Sequence, residues 1–183
     1  YGIPGDTIQF YEINEAVEDI AKSYFTYLGD SPAVLQIVRG DARVSLAAES
    51  PQRYDVLVVD AFSGDAIPAH LITAQALDVY RRHLATGGII AFNVSNDFLA
   101  LAPVLEQLAR HAGMQAVRVI DHEDLARDVF DSEWVLITTN TRFVADTATA
   151  RARSPIEVPA GLRLWTDDYS SLFPIIKLRQ RVF

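Results

Sequence analysis

Cysteine is absent from this sequence, and methionine occurs once, at Met114. Without thiols there are no disulfides and no thiolate metal sites, which agrees with a cytosolic setting and a cytoplasmic location. No apolar run approaches the ~18 residues of a membrane span, so the segment itself is expected to make no membrane contact. The opening YGIPGDTIQF has neither the basic region nor the apolar core of a secretory leader. It also has no initiating Met, so the stretch is expected to be a piece of a longer chain or a processed product. Positive charge is scarce: 16 Lys and Arg stand against 24 Asp and Glu, for a net charge of −8. A nucleic-acid binder needs a basic footprint, so that class is excluded, while a cationic ligand suits the acidic balance. The four histidines, His70, His83, His111 and His122, show no HxH or HxxxH spacing, and no metal site is expected.

What is present is apolar and regularly punctuated. Half of the 183 residues are hydrophobic, enough for one domain, 1–183, with a real core. The organising stretch is Tyr54 to Pro68, YDVLVVDAFSGDAIP. Its short run of branched aliphatics, Asp55 to Val59, reads as a strand buried on both faces, as in parallel sheets. The run stops on Asp60 and passes into a loop with Ser63, Gly64 and a second acid, Asp65. Ligands of open α/β sheets sit beyond the carboxyl ends of the strands, so Asp60 marks a candidate site. Capping of the loop or of the next helix is the plainer reading of the same residue.

Taken in order, Thr7–Tyr11 is strand-like and closes on Glu12. Asn14 can cap a helix to about Tyr27, with Ala16, Val17, Ile20, Ala21 and Tyr24 at helical spacing, stopped by Gly29 and Pro32. Ala33–Val38 is the next strand, running into Gly40-Asp41-Ala42 and a short helix, Arg43–Glu49. After Pro68 a helix over Thr73–Leu84, with Ala76, Leu77, Tyr80 and Leu84 inward, ends at Gly87-Gly88. Ile89–Val94 is a buried strand with Asn93, Ser95 and Asn96 at its tip. Leu99–His111 is helical, Pro103 falling in its first turn. Gln115–Ile120 and Trp134–Thr139 read as antiparallel neighbours at a sheet edge, joined by the acidic, partly helical His122–Ser132. Residues 144–159 read as a loop or surface helix, and 160–183 as a C-terminal tail. Alternating strands and helices give an α/β fold with a mostly parallel sheet and an antiparallel edge pair.

Three strands in succession end in acid: Glu12, Asp41 just past its strand, and Asp60. That recurrence suits a polyhydroxylated, nitrogen-rich ligand, since a carboxylate at a strand end can accept both ribose hydroxyls.

The EIN around Glu12, the Gly40-Asp41-Ala42 turn, DVLVVDAF and GGIIAFNVSN together resemble the Rossmann-like class I S-adenosylmethionine-dependent methyltransferase fold. More narrowly, DAFSGDAIP and the late WTDDYS are similar to the spermidine synthase-like polyamine aminopropyltransferases, in particular bacterial members fused to a membrane domain. The resemblance spans about Thr7 to Thr139, with a second patch at Trp165 to Ser170. It implies that Glu12 binds the ribose of the donor and that Asp41, with Ala42 beside it, contacts the adenine. Asp60, also counted among the donor contacts, would take the proton from the attacking amine. Asp65, Asn93, Trp165, Asp167 and Asp168 are the expected acceptor-side residues. For Asp65 a turn role stands beside this one, for Trp165 and Tyr169 a place in the core or a lid, and for Asp167 and Asp168 the capping of a helix from Tyr169. The basic Lys177–Arg181 reads as a solvated face.

The sequence departs from the family at several points. Where the family loop reads DSSDP, Ser63 occupies the second acid's place and Asp65 lies two residues further on. Val129 stands at the place of a tyrosine, and Asn93 at that of a glutamine. The family's glycine-rich first strand and loop is not found; the resemblance implies that the parent chain supplies it between the Thr7 and Asp55 strands. The implied reaction moves an aminopropyl group from decarboxylated S-adenosylmethionine, a co-substrate rather than a tightly bound cofactor, to putrescine or a related amine. Homodimerisation is a further expectation from the family. Methyl transfer on the same frame, and a non-catalytic module that binds polyamine or nucleoside and regulates an attached membrane domain, are the alternatives.

Overall fold

The computed structural model describes residues 2–61 and 68–177. The chain divides into two compact units, Tyr1–Ser50 and Pro51–Phe183, where the sequence reads as one domain.

The first unit holds a two-stranded parallel sheet, β1 (Thr7–Glu12) and β2 (Val34–Arg39), in register from Thr7↔Val34 to Glu12↔Arg39. Between them run α1 (Glu15–Tyr24) and the short α2 (Tyr27–Asp30); α3 (Ala42–Ala48) follows β2. Asn14 caps α1 as its composition suggests: the Ala16 amide donates to Asn14 Oδ1 at 3.0 Å. The helix ends earlier than its spacing predicts, because Phe25 turns extended (φ −122°) and Tyr27–Asp30 restarts as a separate turn that includes Gly29. The stripe Val17, Ile20 and Tyr24 lies on the exposed side, and the buried position of α1 is Glu18, 7% exposed. An ionic tie explains that burial. Glu18 receives Lys22 from its own helix and Arg39 Nε from the end of β2 at 2.7 Å, while Arg39 Nη1 reaches Glu15 at 3.0 Å. Hydrogen bonds from Lys22, then Arg39, hold the Glu18 carboxyl below the usual carboxylate range, and the Arg39 guanidinium is correspondingly raised.

The second unit is a five-stranded sheet in the order β3-β4-β6-β5-β7. These strands are β3 (Tyr54–Val59), β4 (Leu84–Asn93), β5 (Gln115–Asp121), β6 (Ser132–Thr138) and β7 (Arg153–Ser154), with α4 (Ala74–Arg82) and α5 (Ala102–His111) among the connections. β3 and β4 are parallel; β6 is antiparallel to both β4 and β5, and β7 pairs antiparallel with β5. The core is built from Leu57 and Val59 of β3, Ile90 and Phe92 of β4, Leu105 and Leu108 of α5, Val135 and Ile137 of β6, and the aromatics Tyr80 and Trp165.

Several expectations change here. β3 is buried on one face only: Leu57 and Val59 are inside, while Val56 and Val58 are 55% and 57% exposed. A run of branched aliphatics gives no strand its second cover, and the described residues place none over those valines. Gly87 and Gly88 lie inside β4 rather than at a helix end. α4 stops at Arg82, and the strand starts at Leu84 with a register shift against Tyr54 and Val56, Gly87 taking φ +79°. Such a kink requires glycine and marks a bulge. Residues 144–159, read as a loop or a surface helix, hold an exposed helix and add a short strand. Asn140 caps α6 (Thr141–Ala145), Asp146 caps α7 (Thr147–Ala152), and β7 then joins the sheet. Among the described residues no helix is long and apolar enough to cross a membrane.

Candidate active site

In the first unit, Glu12 and Asp41 stand at the carboxyl end of the same parallel pair. Glu12 closes β1 opposite Arg39, and Gly40, at φ +131°, donates its amide to the Glu12 carbonyl at 2.9 Å. That left-handed turn belongs to glycine and sets Asp41 directly before α3. Each carboxylate is steadied by backbone: Glu12 Oε1 accepts from the Asn14 amide at 2.8 Å, and Asp41 Oδ1 from the Val44 amide at 2.9 Å. Ala42 is the first residue of α3. Asp41 is therefore an N-cap as well as a candidate ligand contact. The Tyr11 hydroxyl, donating to Glu49 Oε2 at 2.7 Å, fastens β1 to the end of α3 beneath this turn.

In the second unit, Asp60 and Asn93 come together. The β3–β4 ladder ends on Val59↔Phe92, so the next residues, Asp60 and Asn93, are register neighbours at the carboxyl ends of two parallel strands. That is where open α/β sheets receive ligands. Asn93 is held firmly: Ser95 donates to Asn93 Oδ1 from its amide at 3.1 Å and its hydroxyl at 2.7 Å. The Glu133 amide in turn donates to Ser95 Oγ at 2.9 Å. Glu133 itself joins Arg118 Nε at 2.8 Å and faces Lys177 Nζ at 3.8 Å. Beyond Ser95 opens a cavity of about 460 Å³ with carboxylates from Asp97, Asp121, Asp131 and Glu133 on its walls, besides His122 and Lys177. Sequence reasoning singled out none of these four acids. They are scattered over three segments, and only the strand pairing gathers them.

Asp65 lies outside the described residues. The WTDDYS patch sits against the start of α4. Trp165 is fully buried, its carbonyl accepting from the Ala74 amide at 2.9 Å, and its indole Nε1 has no hydrogen-bond partner among the described residues. Asp167 Oδ1 accepts from the Thr73 hydroxyl at 2.8 Å, and the Asp167 amide donates to Gln75 Oε1 at 3.1 Å. No helix starts at Tyr169; a tight bridge between Thr166 and Tyr169 closes the turn around Asp168, with the Arg163 guanidinium 3.9 Å above the Tyr169 ring. The structure thus brings Glu12 together with Asp41 and Ala42, Asp60 with Asn93, and Trp165 with Asp167 and Asp168.

Comparison with solved structures decides the architecture. The chain superposes on a probable spermidine synthase from Corynebacterium glutamicum with a TM-score of 0.57 at 18% identity, covering 85% of this chain and 65% of that one. On human methyltransferase-like protein 13 the TM-score is 0.56 at 17% identity, covering 85% and 75%. The fold is that of the class I S-adenosylmethionine-dependent methyltransferases. On this fold the sequence is similar to two curated relatives. One is a probable polyamine aminopropyl transferase of Bifidobacterium longum, 34% identical over 92 residues, half of this chain and 20% of that protein. The other is the polyamine aminopropyltransferase of Vibrio vulnificus, 33% identical over 92 residues, 49% of this chain and 30% of that protein. The chain thus matches less than a third of either relative's length. No family model matches it. The resemblance to polyamine aminopropyltransferases read from the sequence agrees with the names of these relatives.

Proposed function

We propose that this chain is the nucleoside- and amine-binding part of an aminopropyltransferase of polyamine biosynthesis. The reaction joins decarboxylated S-adenosylmethionine and putrescine to give spermidine and methylthioadenosine. The observation that carries this reading is the place of Asp60 and Asn93 next after the last paired residues, Val59 and Phe92, at the tips of parallel β3 and β4, in a chain whose relatives are named for aminopropyl transfer.

The chemistry follows from what such an acid can do. A primary amine is protonated at neutral pH and is no nucleophile in that state. The Asp60 carboxylate attracts the ammonium and accepts its proton. The freed lone pair attacks the propyl carbon bonded to sulfur. The carbon–sulfur bond breaks, its electrons return to sulfur, and the sulfonium becomes a neutral thioether. The sulfonium supplies the activation, so what the residues add is orientation and removal of water. Glu12 would take the ribose hydroxyls and Asp41, beside Ala42, the adenine. Asn93, Asp65 and the Trp165–Asp168 turn belong to the acceptor side of this scheme. A cytoplasmic enzyme, tethered to a membrane domain in its parent chain and dimeric, completes the proposal.

The test is product analysis of the full-length protein with putrescine and the decarboxylated donor. Methylthioadenosine and spermidine should form in equal amounts, and Asp60→Asn should lower turnover by about 10²-fold or more while leaving donor affinity intact. Turnover in Asp60→Asn close to that of the parent protein would remove Asp60 from the role of base. Methyl transfer is the second reading, favoured by the superposition on human methyltransferase-like protein 13. It predicts tighter binding of intact S-adenosylmethionine and release of S-adenosylhomocysteine instead.

A further inference from the structure

The place of Asn93 at the tip of β4 suggests a carbonyl oxygen offered to an ammonium, but that oxygen is already taken. The Ser95 amide donates to Asn93 Oδ1 at 3.1 Å, and the Ser95 hydroxyl donates to the same oxygen at 2.7 Å. A backbone N–H can only donate, so the atom facing it is the oxygen of the amide and not its nitrogen. Those two bonds fill both lone pairs. Ser95 is itself held from β6: its Oγ accepts from the Glu133 amide at 2.9 Å, and the Val94 amide donates to the Glu133 carbonyl at 2.8 Å. Asn93 is paired with Trp134 in the β4–β6 ladder, and the Glu133 carboxylate receives Arg118 Nε at 2.8 Å. The tip is therefore braced by the neighbouring strand. What the half-buried Asn93 amide has left to offer is its NH2 group, which only donates.

We propose that Asn93 serves the reaction as a hydrogen-bond donor and takes no part in holding the ammonium. The proposal rests on the aminopropyl-transfer reading and states what one of its acceptor-side residues does. An ammonium carries three N–H donors and no acceptor, so it finds nothing to bond in an NH2 group. The lone pair of the amine, once freed, is the nucleophile and is spent on carbon. A group that donates at this tip therefore meets an acceptor of another kind. One source is the carboxylate of Asp60, which follows β3 as Asn93 closes β4. The other is an oxygen or ring nitrogen of the nucleoside. A bond to the carboxylate orients the base, and a bond to the nucleoside orients the carbon under attack.

The experiment compares Asn93→Asp and Asn93→Ala in the full-length protein by steady-state transfer to putrescine and by calorimetric titration with methylthioadenosine. Aspartate keeps an oxygen for both Ser95 donors and puts a second oxygen where the NH2 group stands, so it reverses the polarity without unmaking the tip. Alanine only deletes the donor. Asn93→Asp should fall about tenfold or more below Asn93→Ala in kcat/KM for putrescine, because an anion facing an acceptor is worse than no group at all. Methylthioadenosine bound more weakly by the same factor, again relative to Asn93→Ala, assigns the acceptor to the nucleoside. Unchanged nucleoside binding beside the rate deficit assigns it to Asp60. An Asn93→Asp protein that matches or exceeds Asn93→Ala would make Asn93 an ammonium contact and overturn the proposal. So would a lowered KM for putrescine with kcat within about twofold of the parent protein. Should Asn93→Ala not fold, Asn93→Ser, which also lacks the NH2 group, replaces it as the reference. If the parent protein forms no methylthioadenosine, the transferase reading has failed. The same pair of variants titrated with S-adenosylhomocysteine then decides the polarity, and equal affinities would overturn it.

Discussion

Replacing Gly88 with alanine presses directly on the strand pair that carries Asp60. A β-carbon built there would lie 2.8 Å from the Tyr54 carbonyl oxygen, 3.1 Å from that of Ala85 and 3.3 Å from that of Asp55. Relaxed carbon–oxygen contacts between strands fall at about 3.3–3.6 Å, so the nearest approach is short by roughly 0.5 Å. All three obstacles are backbone. No rotamer change relieves them, and β3 must move bodily away from β4 at the end where the Tyr54 amide donates to the His83 carbonyl at 2.7 Å. Forcing one extra carbon into such a site costs about 1–3 kcal/mol. In a chain of this size each kcal/mol lowers Tm by about 2–4 °C, giving a fall on the order of 5 °C. Gly87→Ala is the companion measurement. Its cost comes from φ +79°, about 1–2 kcal/mol, since its nearest neighbour is the movable side-chain amide of Asn140 at 3.3 Å. Thermal melts followed by circular dichroism read both. A Gly88→Ala protein melting within 1 °C of the parent, on the scale just given, would show that the β3–β4 contact yields freely and would refute the argument.

Two further outcomes are expected. Glu18, its carboxyl depressed below 4.5 by Lys22 and Arg39, contributes stability that is full above the unfolded-state value and is lost as pH falls through the folded one. Glu18→Gln should therefore be less stable than the parent at neutral pH, and the two should converge below about pH 4.5 in acid-unfolding curves; a gap that stays constant with pH would sever this link. Trp165→Ala should cost about 3–5 kcal/mol as a core truncation. Trp165→Phe should cost less than half of that in urea melts, because it also removes a buried N–H that costs about 1–3 kcal/mol when unpaired.

Much of this architecture could be read from residue chemistry. Asn14 and Thr73 announce their helices through side chains that reach back to backbone amides, and the acids Glu12, Asp41 and Asp60 lie at strand ends as their abrupt charge suggests. Other features depend on pairing that no local pattern encodes. That Asp60 and Asn93 stand at neighbouring strand tips follows from the register of β3 on β4, set across an intervening helix. Gly87 and Gly88 carry the composition of a helix stop, but Leu84 already pairs with Tyr54, so the same residues become a kink within a strand. The Ala- and Thr-rich stretch after Thr141 lacks an apolar stripe, and its two short helices owe their starts to Asn140 and Asp146. Asp167 was legible as an acid near an aromatic; its engagement by Thr73 was not, because the two are far apart in the chain.

The two flanks of the five-stranded sheet differ in how they meet another molecule. At the β7 flank, the outer strand is two residues long and is followed at once by Pro155, whose carbonyl holds Arg118 at 3.1 Å and whose nitrogen has no hydrogen to offer. A ladder cannot be extended past that point. At the β3 flank Val56 and Val58 are exposed, at 55% and 57%, on the sheet face that the described residues leave uncovered. Such exposed apolar side chains favour self-association in concentrated solution, and Val58→Lys should lower it.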